Sequence, residues 1–173
     1  MIMRRLFVAL IVMMAMSFSA NAQKIALIDM EYILKNIPAY EMANEQLAQV
    51  SKKWEAEVQV QLEAVQTMYK EYQAEQVFLS AEMKKKKEDA IIAKEKEAQE
   101  LKRKYFGSEG ELFKKRESLM KPIQDEIYEA VKTLSEDKGY QLILDRASGV
   151  NIIFASPKID ISNEVLVKLG YSK

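Results

Sequence analysis

Two aspartates, Asp29 and Asp145, each close a short apolar run, Ile25-Ala26-Leu27-Ile28 and Tyr140-Gln141-Leu142-Ile143-Leu144. Two carboxylates brought into one site could divide the roles of general acid and base. Asp is also the residue that turns or caps a chain as it leaves a strand. Too few other polar groups accompany this pair to complete a reactive site. The chain has no cysteine and no histidine. Zinc sites, thiol catalysis and imidazole proton transfer are therefore gone, and so are disulfides. No glycine loop of the nucleotide-cradling kind occurs. The sequence points to a protein that is not an enzyme and that takes no cofactor and no metal.

Contact chemistry is better represented. Lys84-Lys85-Lys86-Lys87 could touch anionic phospholipid or lipopolysaccharide, or steer acidic partners. The same run also reads as a solvated helix face balanced by Glu88 and Asp89. Val77-Phe78-Leu79 are apolar where a turn should be polar, so they either grip a partner or pack the turn. Trp54, Tyr69, Tyr72, Tyr105 and Phe106 stand at helical spacing, which favours packing in a seam over contact with a partner. Gly107 and Gly110 interrupt a strongly helical composition, each at about 1 kcal/mol relative to Ala, and read either as a hinge or as a local break or close helix contact without motion. The whole chain carries 26 basic and 26 acidic residues. That balance lacks the basic excess expected of a nucleic-acid binder.

The elements that must position these residues follow a leader. Met1–Arg5 are basic at their end, Leu6–Phe18 are almost wholly apolar, and Ala20-Asn21-Ala22 is a small-x-small cleavage pattern. The apolar run is shorter than the ~20 residues of a membrane span. Residues 1–22 are thus expected to be a signal peptide cut after Ala22, which sends residues 23–173 out of the cytoplasm. Loss of Arg4 and Arg5 leaves 24 basic against 26 acidic residues, a net of −2.

Between Glu41 and Lys138 the composition is that of long helices. Leu47, Val50, Trp54, Val58, Leu62, Val65, Tyr69 and Tyr72 recur at a mean near 3.6 and mark one face of an outgoing helix over Tyr40–Phe78, roughly 60 Å long. Past a bend at Phe78-Leu79-Ser80 the period tightens to seven in Ile91, Ala98, Tyr105, Leu112 and Leu119, and again in Phe106, Phe113, Met120, Ile127 and Leu134. A repeat of seven predicts supercoiling against a partner helix. Ser80 is the expected cap of the returning helix, and Pro122 predicts a kink or a helix start. The outgoing segment 41–78 is net −4 and the returning segment 83–104 net +4, which favours antiparallel pairing.

Outside the helices, strands are expected at Ile25–Ile28, Tyr140–Leu144 and Val150–Ala155, the last two forming a hairpin through Ser148-Gly149. A closing helix is expected over Ile161–Leu169, capped by Asp160 or Ser162 and stopped by Gly170. The domain reading is a β-rich body from residues 23–40 and 136–173, and a helical arm over 41–135 with its tip near 78–82. The strands are too few to stand alone. The predicted fold class is therefore α+β: a long antiparallel coiled-coil hairpin on a small β-rich hub completed by oligomerisation.

The ordered set of Lys24-Ile25-Ala26-Leu27-Ile28-Asp29, the charged hairpin, Pro122-Ile123-Gln124-Asp125-Glu126-Ile127, Lys138-Gly139-Tyr140, Ile143-Leu144-Asp145, Asp160-Ile161-Ser162 and Leu169-Gly170 resembles the Skp, or OmpH-like, family of periplasmic chaperones. The resemblance implies a homotrimer shaped like a clamp. Its arms would enclose unfolded outer-membrane β-barrel proteins and release them without nucleotide. The near-neutral charge departs from the basic character of that family's best-studied members. The competing expectation is a periplasmic structural or adaptor protein that docks one partner through its hairpin.

Overall fold

The structure is a computed structural model and describes residues 23–149 and 152–171. The expected signal peptide and its cleavage position after Ala22 lie outside these residues. The chain forms two compact units, residues 23–33 with 130–171, and residues 34–129.

The first unit is built on a strand pair. β1 (Lys24–Ile28) runs parallel to β2 (Tyr140–Asp145), with Ile25 opposite Leu142 and Ile28 opposite Asp145. On its other side β1 meets the C-terminal segment, where Leu27 bridges to Asp160 and the Ile161 amide donates to the Leu27 carbonyl at 2.9 Å. With neighbours on both sides, Ala26, Leu27 and Ile28 are buried. Helix α1 (Met30–Lys35) adds Ile33, and a C-terminal helix (Ser162–Lys168) adds Val165 and Leu166. Between helix and strand, Gly139 takes φ +70°, a left-handed turn that a Cβ would strain.

The expected hairpin does not form. Ile152–Ala155 are not a strand, and Val150 and Asn151 lie outside the described residues. The turn after β2 is drawn elsewhere by polar ties. The Arg146 Nε donates to Asp29 at 3.0 Å, and Arg146 Nη1 pairs with Asp160 at 3.1 Å. The Asp145 carboxylate accepts from the Met30 and Ala147 amides at 3.0 and 2.9 Å. These contacts lead the chain towards Asp160 and not back along β2.

The second unit holds the long helices. α2 (Pro38–Glu75) opens with proline at its first turn, where the missing amide costs nothing. It ends in a 3-10 turn, Gln76–Phe78, and α3 (Ala81–Phe106) begins at Ser80, whose Oγ accepts from the Met83 amide at 3.3 Å. Cross-helix partners fall on one side as they rise on the other: Glu57 with Tyr105, Tyr69 with Glu95, Tyr72 with Glu88, Glu75 with Lys87. The helices are antiparallel.

Their seam is narrower than the face read from sequence. Val58 and Val65 of α2 and Ile91 and Ala98 of α3 are buried. Leu62 and Tyr69, expected on that face, are 39% and 41% exposed. Gln61 and Met68 are half-buried in their place. Trp54, Gln61 and Met68 step by seven, so they stay on the stripe facing α3 where a 3.6-residue repeat drifts away.

Two further corrections concern the returning limb. Gly107 and Gly110 do not sit inside a continuous helix: α3 ends at Phe106 and α4 (Glu111–Lys138) starts afresh. The seven-residue steps that appear to run from Tyr105 to Leu112 therefore join two different helices. Pro122 does not start a helix either, because α4 runs through it. Its ring faces solvent while Ile123, Ile127, Ala130 and Leu134 make the buried stripe.

Asp29 gives the first unit a pH dependence. Its carboxyl is held below its ordinary value of 3.8, chiefly by the Tyr32 amide and then by Arg146, against the opposing effect of burial. A lowered folded-state value means the contribution is complete above the unfolded value and is lost as pH falls through the folded one. Asp29→Ala is expected to cost about 1–2 kcal/mol at pH 7 through loss of the cap. Asp29→Asn keeps an acceptor, and its deficit should vanish in acid; urea unfolding from pH 7 to pH 2 checks both. The seam gives a second expectation at pH 7. Val65→Ala should cost about 1–2 kcal/mol and Leu62→Ala about 0.5 kcal/mol or less, the reverse of their side-chain sizes.

Candidate functional site

The turn between α2 and α3 carries the residues that sequence singled out for contact. Val77 and Phe78 are 76% and 85% exposed, Leu79 is half-buried, and Met83 in the first turn of α3 is 53% exposed. The 3-10 turn fixes them outward, and the Ser80 cap aims α3 away from them. The lysine run divides in two. Lys84 and Lys87 are half-buried on the same line of α3 as Ile91, and Lys87 pairs with Glu75 across the turn. Lys85 and Lys86 face solvent. An apolar knob beside free ammonium groups can adsorb to a surface or chain offering both apolar and anionic groups. Covering a large apolar side chain fully is worth about 1.5–3 kcal/mol.

Along the helix pair, Val60, Leu62, Tyr69 and Ile92 remain exposed among charges. The aromatic side chains expected at helical spacing are largely committed to the pairing. Trp54 stacks on Tyr105 with centroids 4.8 Å apart, and Tyr105 donates to Glu57 at 2.5 Å. The hydroxyls of Tyr69, Tyr72 and Tyr105 all titrate above their ordinary value of 10.0, first because each donates to a glutamate of the opposite helix. Glu57 and Glu95 are not singled out by the sequence, and Glu88 reads there as a counter-charge to the lysines, whereas it accepts from Tyr72. Mirror pairing about the expected bend near 79 sets Tyr69 opposite Asp89 and Tyr72 opposite Lys86, so the true partners follow only from the register of the folded pair.

The candidate acid–base pair is occupied structurally. Asp29 caps α1 and holds Arg146, while its own amide donates to Ser162 Oγ at 2.8 Å. Asp145 caps the same helix from the other strand. Among the described residues no cluster of three or more potential metal ligands occurs, and no helix is long and apolar enough to cross a membrane. Gly107 and Gly110 form the turn between α3 and α4, where Gly110 is buried.

Residues 24–169 match the family described as outer membrane protein (OmpH-like). No curated protein sequence matches the chain. Among solved structures, a protein of Caulobacter crescentus assigned as an OmpH-like outer membrane chaperone superposes with a TM-score of 0.67. The match covers 87% of this chain and 86% of that one at 13% identity, a likeness of fold. With strands, long helices and C-terminal segment all inside the matched span, the chain belongs to the OmpH-like family of outer membrane proteins.

Proposed function

We propose that this protein is an ATP-independent periplasmic holdase, which binds unfolded outer-membrane β-barrel proteins in a cavity between helical arms and keeps them from aggregating. The observation that carries the reading is the pairing of α2 and α3. Helices of 38 and 26 residues hold each other by a narrow seam and leave Val60, Leu62, Tyr69, Ile92, Val77 and Phe78 in water. Apolar side chains dispersed among charges make many weak contacts with an extended chain, and weak contacts release without a nucleotide. Membership of the OmpH-like family supports the chaperone role.

The assembly that fits this role is a homotrimer. A sheet of two strands is marginal alone, and Leu142 on β2 is 47% exposed, with Ile153 and Phe154 more exposed still. Neighbouring copies would cover them. Diluting a urea-unfolded outer-membrane β-barrel into mature protein, without ATP, is expected to give suppressed light scattering and a complex of three chains per client. Leu142→Glu is expected to lower the mass towards one chain and to remove the suppression with it. Unsuppressed scattering at several-fold excess of an intact trimer would favour an adaptor that docks a single partner.

The tip formed by Val77, Phe78 and Leu79 with Lys84–Lys87 is proposed to touch clients or anionic lipid. Replacing Val77 and Phe78 by Ser, and Lys84, Lys85 and Lys86 by Gln, is expected to abolish flotation with phosphatidylglycerol vesicles. Flotation equal to that of the parent would leave the tip a solvated turn.

A further inference from the structure

The turn joining α3 to α4 is tighter than a linker. The Gly107 amide still bonds the Arg103 carbonyl at 2.8 Å, the Gly110 amide bonds the Gly107 carbonyl at 2.9 Å, and the Lys114 amide bonds the Gly110 carbonyl at 3.1 Å. Neither glycine has positive φ. What each requires is room. A Cβ on Gly107 would stand 2.5 Å from the Arg103 carbonyl oxygen, and one on Gly110 would stand 2.8 Å from that of Tyr105. Real Cβ atoms do not approach so closely, so these residues let backbone pack on backbone. Alanine at either site would push the turn apart and would not report on motion.

Tyr105 stands on both sides of this arrangement. Its carbonyl oxygen is the atom lying against Gly110, and its side chain lies on α2. The ring stacks on Trp54 with an interplanar angle of 5° and the hydroxyl donates to Glu57 at 2.5 Å. Phe106 meets the same ring edge-on at 6.3 Å, and the Lys104 ammonium lies 5.6 Å from its centre. Just beyond the turn the side-chain hydrogen bonds of Lys114, Ser118 and Lys121 lie within α4, and the remote ties of that helix come at its far end, where Lys138 meets Glu164 and Asp137 meets Lys168. An open cleft of about 390 Å³ lies beside the turn, lined by Glu100, Arg103, Lys104, Glu111 and Lys114. Tyr105 fastens the turn to α2, and the cleft opens between α3 and the first turn of α4 beside it.

We infer that Tyr105 is the pin of a joint, holding the glycine turn against α2 and limiting the range of angles through which α4 pivots about Gly107–Gly110. The glycines make the turn compact; Tyr105 gives it a direction. In its use the inference rests on the chaperone reading, since a holder of clients of different size needs limbs whose spread is adjustable yet bounded.

The chain has no cysteine, so Gln99→Cys and Glu117→Cys, exposed positions on α3 and α4, accept two spin labels cleanly. Labelled chains are diluted into an excess of unlabelled ones, so that pulsed dipolar spectroscopy reads distances within one chain. A narrow distribution is expected for the parent. Tyr105→Ala should broaden it about twofold by populating further orientations, while Tyr105→Phe, which keeps the stack, should stay near the parent. Trp54 is the single tryptophan, and its emission should shift to the red in Tyr105→Ala and hold in Tyr105→Phe. Trp54→Leu removes the stack from the α2 side and should broaden the distances like Tyr105→Ala. It decides the matter alone if Tyr105→Ala lacks parental helicity by circular dichroism. Parental width in every variant that folds overturns the pin. No client is present, so this result stands apart from the outcome of the aggregation assay.

Discussion

The parallel pairing of β1 with β2 is the constraint from which the rest of the chain follows. Antiparallel neighbours can be joined by a two-residue turn, but parallel ones need a crossover, and here the crossover is everything from Asp29 to Gly139. The helices must leave the first strand and come back to the second. Closing a flexible loop of that length would cost about 4 kcal/mol in chain entropy. Antiparallel packing of α2 on α3 shortens the effective gap, because the tip turn at Gln76–Ser80 is local and its helices pair residue by residue from there. The hairpin is the means by which distant strands find each other.

What holds that hairpin is not what the charge pattern favours. An outgoing segment of net −4 against a returning one of +4 suggests rows of Lys–Glu pairs. Among the described residues of α2 and α3, one cross-helix ion pair forms, between Lys87 and Glu75. Lys94 and Lys96 pair within their own helix instead. The recurrent cross-helix tie is Tyr to Glu, at Tyr69, Tyr72 and Tyr105. A lysine must freeze a long stem to hold one geometry, and an exposed pair returns about 0.2–1 kcal/mol. A tyrosine ring has two torsions, is ordered already by packing, and carries its hydroxyl at fixed reach. The short turn at Gln76–Ser80 sets the direction of pairing, and the Tyr–Glu bonds mark its register.

Elements governed by local chemistry were legible from sequence. The Ser80 cap, the bend beside it, both strands of the sheet and the helix ending before Gly170 all depend on residues within one or two turns. The errors lie where a remote partner decides. Tyr140–Asp145 has β character, but whether it turns back on itself is settled by Arg146 reaching Asp29 and Asp160. Leu62 and Gln61 are adjacent, and packing against a second helix leaves the more apolar of them exposed. Seven-residue steps through Gly107–Gly110 looked continuous because four residues of turn restore the count without restoring the helix. The candidate contact residues were visible as apolar side chains in an expected turn. The glutamates that commit the tyrosines became visible only with the antiparallel register.

The narrow seam has a consequence for how the arm behaves as a surface. A helix packed on one partner buries a single stripe, so an arm made of two helices cannot hide all its apolar residues, and those left over are spaced along it at Val60, Leu62, Tyr69 and Ile92. Spacing matters more than total area here. A contiguous patch would bind one complementary surface tightly, whereas separated side chains would suit the many weak contacts that the proposed holdase role requires. Burial is strongest at Ile91 and Ala98, where α3 lies against α2, and the same seam ends in the Trp54–Tyr105 stack just before the helix breaks. The glycine turn falls just where that stacking stops.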